Sequence, residues 1–137
     1  MTKYRFIQDL TSDVLFEAYG KTKQELFANA ASALFSVICK INKIKPAKVK
    51  IIKVKGANLK ELLFNWLQEL IVLVDTEQLF FSRFAIEKIN DKSLRAKIYG
   101  EPITPEKGET VVKAVTYYRF NVTETAKGYK STVSLDI

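Results

Sequence analysis

The stretch "NLKELLFNWLQELIVLVD", residues 58–75, decides the fold class of this chain. Asn58 followed by Glu61 is a helix-start signal, because a short polar side chain ahead of a helix can accept from a first-turn N–H that has no partner. Leu59, Leu62, Leu63, Trp66, Leu67, Leu70, Leu73 and Val74 then recur at three and four, a wide apolar stripe that has to be buried. At 100 degrees per residue Glu69 falls on the flank of that stripe, near Leu62, Trp66 and Leu73, where incomplete solvation is expected.

A second helix precedes it. Gly20 punctuates the chain, Thr22 and Glu25 have capping-box spacing, and Leu26, Phe27, Ala30, Ala33, Leu34, Val37 and Ile38 recur as one stripe. Everything else reads as strand. "KYRFIQD" (3–9) and "DVLFEAYG" (13–20) alternate, as do "LFFSRFAIEKI" (79–89), "SLRAKIYG" (93–100), "TVVKAVTYYRFNV" (110–122) and "YKSTVSLDI" (129–137). Turns are expected at 90–92 and near Gly128. In "AKVKIIKVKG" (47–56) the alternation changes phase at Ile51-Ile52, which predicts a bulge or burial on both faces.

Amphipathic helices and one-faced strands can bury their apolar surfaces only against each other. The fold class is therefore α+β, a two-layer sandwich of two amphipathic helices packed on a largely antiparallel β-sheet. With 137 residues, 47% hydrophobic and 27% charged, and with no repeat or linker, residues 1–137 read as a single domain.

The composition excludes several chemistries. There is no histidine and only one cysteine, Cys39, so His-dependent nucleophilic catalysis and the usual zinc sets are ruled out. A metal site must then be made of oxygen, which suits calcium, magnesium or manganese. Cys39 follows the stripe residues Val37 and Ile38 and reads as packing. No signal-peptide core or membrane-length apolar run is present, so a cytoplasmic location is expected.

The formal charge is +7, and eight lysines fall between Lys40 and Lys60. Such a run is either a solvated basic face or a weak RNA contact through residues 40–60. With 18 Lys and four Arg, diffuse attraction to phosphate is expected rather than fork-like recognition.

In "STVSLDI" (131–137), Asp136 shares a face with Lys130, Thr132 and Ser134, away from Leu135 and Ile137. Alternation alone makes it an exposed acid, while a strand pattern reaching the last residue suggests an end held in the fold.

Several stretches, in collinear order, resemble the archease family. "LTSD" (10–13) corresponds to its His-Thr-Ala-Asp signature, and "LKELLFNWLQELI" (59–71) to its Leu-Leu-x-x-Trp-Leu-x-Glu-Leu helix. "YGEP" (99–102) and "VKAVTYY" (112–118) resemble its Gly-Glu-Pro loop and Lys-Ala-Val-Thr-Tyr-His strand, and "SLDI" (134–137) its terminal Asp-Ile. Leu10 and Tyr118 stand where the family has histidines, and Tyr129 where tryptophan is common.

The resemblance implies a non-catalytic activator of the tRNA-splicing RNA ligase, one that promotes guanylylation of the ligase's catalytic subunit, enables multiple turnover and broadens nucleotide use. It also implies a divalent metal, calcium foremost, held by Asp13, Asp136 and the backbone oxygens of Ile137, with Glu69 as a further acidic candidate. Two carboxylates about 4 Å apart repel by roughly 4 kcal/mol at an effective dielectric near 20, so convergence calls for a cation or a shared proton. The alternative reading is an RNA-binding or chaperone-like module that acts on RNA- or DNA-processing proteins. A metal-dependent phosphoesterase is disfavoured, since no obvious general base accompanies the aspartates.

Overall fold

Both helices start at their capping residues. Thr22 accepts from the Glu25 N–H at 3.1 Å and opens α1, Lys23–Ile38, while Asn58 accepts from the Glu61 N–H at 2.9 Å and opens α2, Leu59–Glu77. In this computed structural model residues 2–7 and 13–137 are described. The strands are β1 Tyr4–Ile7, β2 Val14–Gly20, β3 Lys48–Lys55, β4 Leu79–Ile89, β5 Ser93–Pro102, β6 Ala114–Thr125 and β7 Gly128–Asp136. Short 3-10 turns occupy Ile41–Lys43 and Pro105–Lys107.

The class is α+β, as expected, but the strands form two antiparallel sheets rather than one. The larger has the order β1-β2-β7-β6 and the smaller β3-β5-β4. β4 to β5 and β6 to β7 are hairpins, with Asn90 Oδ1 accepting from the Lys92 and Ser93 N–H groups in the first turn. Between β5 and β6 the chain crosses from one sheet to the other. Residues 110–113 of that crossing are not strand, which trims the expected 110–122 element at its start.

That crossing also caps a helix. α1 ends at Cys39 without a glycine, and its last carbonyls need donors. Glu109 N–H donates to Ile38 O and Thr110 N–H to Val37 O, so the crossing segment supplies them.

Each helix packs on strands of both sheets: α1 on β2 and β4, α2 on β6, β3 and β4. One continuous apolar cluster results. α1 is buried over a wider arc than its stripe predicts, with Ala31 and Phe35 also fully enclosed, because sheets flank it on two sides. Trp66 sits at the helix contact, fully buried, its Nε1–H donating to Phe27 O at 3.1 Å.

β3 differs from the expected bulge or two-sided burial. Its pairing with β5 runs without interruption from Lys48 to Lys55. Ile52 and Val54 face the core, whereas Val49 and Ile51 are 52% and 53% exposed. The phase change therefore reflects apolar residues on an open sheet face.

Candidate functional site

Strand register brings the two predicted aspartates to one end of a ladder. Val14 and Leu135 are paired across β2 and β7, so Asp13, one residue before, and Asp136, one residue after, sit at the same end of that ladder. They also share a face. Asp13 Oδ2 accepts from Ser134 Oγ at 3.1 Å, and Ser134 and Asp136 are alternate residues of β7. Both aspartates are half-buried, which replaces the exposed acid that alternation suggested for Asp136.

The backbone there is held as well. The Lys113 N–H donates to Asp136 O at 2.8 Å, and Ala114 pairs with Asp136. Ile137 follows, 42% exposed.

Ser134 is fully buried and Thr116 lies opposite it in β6. The Thr116 hydroxyl is buried without a hydrogen-bond partner among the described residues. Sequence reading gave neither residue a role, because an isolated Ser or Thr in a strand carries no signal until register is known. Immediately beyond Thr116, β6 departs from regular pairing, with residues 117–120 bulging between the pairs Thr116 with Ser134 and Asn121 with Thr132. Arg119 has φ 54° within this bulge. Tyr117 stacks on Phe64 at 4.3 Å, and Tyr118, at the family's histidine position, is 43% exposed. The other such position, Leu10, lies outside the described residues with the rest of 8–12.

Glu69 is exposed on α2. Gln68 is the α2 residue that reaches β6, its Oε1 accepting from the Val115 N–H at 2.9 Å.

On the same face as Asp13, Glu17 is buried within β2 and accepts from Arg5 at 2.7 Å, Tyr19 at 2.7 Å and Lys130 at 2.8 Å. Burial alone pushes its carboxyl up, but hydrogen bonds from Lys130, Arg5 and Tyr19 outweigh it and hold the group at about 2. Glu17 is thus neutralised by its own cations and does not extend the aspartate pair.

Cys39 is inert. Burial pushes its thiol up to about 12, and Sγ donates to Phe35 O at 3.3 Å.

As donors for a metal, Asp13, Asp136 and backbone oxygen suit a hard cation. The partnerless Thr116 hydroxyl beside them is a further oxygen on that side of the sheet. Among the described residues no cluster of three or more His, Cys, Asp or Glu could hold a metal, so the set fits an open shell only, completed by water or a partner.

Residues 4–137 match the profile described as the Archease protein family (MTH1598/TM1083). The chain belongs to the archease family. It is 38% identical to the protein archease of Methanosarcina barkeri over 98% of this chain and 96% of that one. To the protein archease of Pyrococcus abyssi it is 40% identical over 86% and 87%. The solution structure of protein 1598 from Methanobacterium thermoautotrophicum superposes with TM-score 0.83 at 30% identity, covering both chains completely. The archease of Thermotoga maritima, described as a possible chaperone, shares the fold at TM-score 0.69 and 19% identity over 97% of each chain. Among the described residues no helix is long and apolar enough to cross a membrane.

Proposed function

We propose that this archease activates the tRNA-splicing RNA ligase by promoting guanylylation of the ligase's catalytic subunit, which enables multiple turnover and broadens nucleotide use. The observation that carries the reading is the shared end and face of Asp13 and Asp136, the two aspartates matching the family's acidic signatures. The protein lacks histidine, and its one thiol is buried and protonated, so it offers neither an imidazole nor a thiolate for nucleophilic chemistry.

Asp13, Asp136 and the backbone of Ile137 would hold a divalent cation, calcium foremost. When bound, it would neutralise the carboxylate pair and offer open coordination positions to oxygen ligands of the partner. The protein's own residues orient the acids: Ser134 fixes the Asp13 carboxylate, and the Lys113 N–H fixes the backbone at Asp136. Glu69, exposed on α2, is given no part in this arrangement.

The test is ligation by the cognate ligase under multiple-turnover conditions. The unmutated protein should raise product beyond one turnover per ligase, and Asp13→Asn or Asp136→Asn should abolish the increase while leaving single-turnover sealing by the ligase intact. No stimulation by the unmutated protein, or full stimulation by both variants, would refute the proposal.

A further inference from the structure

The smaller sheet leaves one face open. Its inner face carries Ile52, Leu94, Ala96, Ile98 and Phe84 into the core. Register fixes what lies on the other side. Val49, Tyr99 and Arg83 are opposed in one row across the three strands, Ile51, Lys97 and Ala85 in the next, and Lys53, Arg95 and Lys88 in a third. Lys55, opposite Ser93, extends the cationic end.

This face has two halves of different chemistry. One is apolar and aromatic: Val49 and Ile51 are more than half exposed, and the Arg83 guanidinium stands 5.1 Å from the centre of the Tyr99 ring. The other is cationic. Lys53, Lys55 and Lys88 are exposed, and Glu87 braces Arg95 at 3.1 Å and Lys97 at 3.6 Å. That one carboxylate leaves a large positive excess over the face. Alternate residues on a strand lie about 7 Å apart and neighbouring strands about 5 Å, so the cations form a regular array.

The lysine run at 40–60 does not itself make this surface. Lys40 donates to Glu106 O at 2.9 Å, Lys50 pairs with Glu77, and only Lys53 and Lys55 reach the open face, where β4 and β5 supply the remaining cations.

We propose that the open face of the β3-β5-β4 sheet binds single-stranded nucleic acid, with bases against the Tyr99–Arg83 pair and phosphates along the lysine and arginine rows. Charge complementarity selects a polyanion. An unpaired strand also exposes the flat faces of its bases, which a ring, a guanidinium plane and two aliphatic side chains can cover, whereas a duplex hides them. A second copy of this face is disfavoured by its own positive charge. The surface lies on a different sheet from Asp13 and Asp136, so this inference stands apart from ligase activation.

Fluorescence anisotropy with a labelled oligouridylate of about 12 nucleotides tests it. Four phosphate contacts predict a loss of roughly 50-fold in affinity between 50 and 200 mM salt. Lys53→Glu combined with Lys97→Glu should weaken binding by about 10-fold or more at low salt, whereas Lys127→Glu, in the turn of the other sheet, should change it less than about twofold. Tyr99→Ala and Arg83→Ala should each weaken it by about fivefold or more, with Tyr99→Phe retaining affinity. Thermal unfolding verifies that each variant is folded, and Arg83→Ala with Tyr99→Phe decides the stacking question should Tyr99→Ala not fold. Any of three results overturns the assignment: no binding at low salt, a duplex of equal length bound as tightly with no dependence on Tyr99 or Arg83, or a poly-glutamate peptide bound as tightly at the same lysines.

Discussion

The Asp13 carboxylate accepts a hydrogen bond from the Ser134 hydroxyl at 3.1 Å, joining residues 121 positions apart across the β2–β7 ladder. Ser134 is fully buried, so its hydroxyl depends on this bond, while the Asp13 end is half-buried. Ser134→Ala should lower stability by about 1.5 to 3 kcal/mol, the range for a hydrogen bond to a charged group. A drop in the urea midpoint with unchanged slope checks it. With Asp13 less firmly oriented, stimulation of ligation should fall too, though less than for Asp13→Asn.

The two helices were legible because local chemistry specifies them. Thr22 and Asn58 cap regardless of tertiary context, and the α2 stripe names its own buried residues. The division into two sheets was not legible, since it depends on where residues 103–113 dock, and the carbonyls of Val37 and Ile38 that they satisfy carry no sequence signal. At the candidate site, Asp13 and Asp136 are expected through a family likeness, and their common face comes from register. Ser134 and Thr116 needed the fold. Glu69 is exposed on α2, an outcome that a position on the flank of an apolar stripe leaves open.

Trp66 offers a direct check on the core. It is the sole tryptophan, fully buried, with its indole N–H donating to Phe27 O at the contact of α2 with α1. Its fluorescence should be blue-shifted in the native state and move to longer wavelength on unfolding. Trp66→Ala should cost about 3 to 5 kcal/mol, the range for large aromatic truncations. A loss below about 1 kcal/mol in chemical denaturation would contradict this packing.

Gly100 should tolerate no side chain. A Cβ there would stand 1.9 Å from Phe80 O on the neighbouring strand, beside the irregularity between Phe81 and Arg83. The obstructing atom is backbone, so β4 would have to move away from β5. Gly100→Ala is expected to destabilise by about 2 kcal/mol or more. Ile51→Thr, on the open face of the same sheet, should stay within about 0.5 kcal/mol. Parallel thermal melts of the two variants separate the crowded position from the open one.

Glu17 makes a prediction in pH. Its carboxyl sits at about 2 in the folded protein against an ordinary 4.5, because the bonds from Lys130, Arg5 and Tyr19 outweigh the cost of burial. Between those two values the unfolded chain binds a proton that the native state does not, so stability rises with pH across that window. The contribution of Glu17 is therefore complete above about pH 4.5 and lost as pH falls toward 2. Glu17→Gln should be less stable than the unmutated protein at pH 7, and the gap should close on acidification through that window. Arg5 and Lys130 are 63% and 46% exposed, so salt should narrow the gap at neutral pH as well. Denaturant titrations of both proteins at pH 7, 4.5 and 2.5 measure it: a gap that stays constant with pH would mean that Glu17 stabilises the sheet by packing and not by its charge.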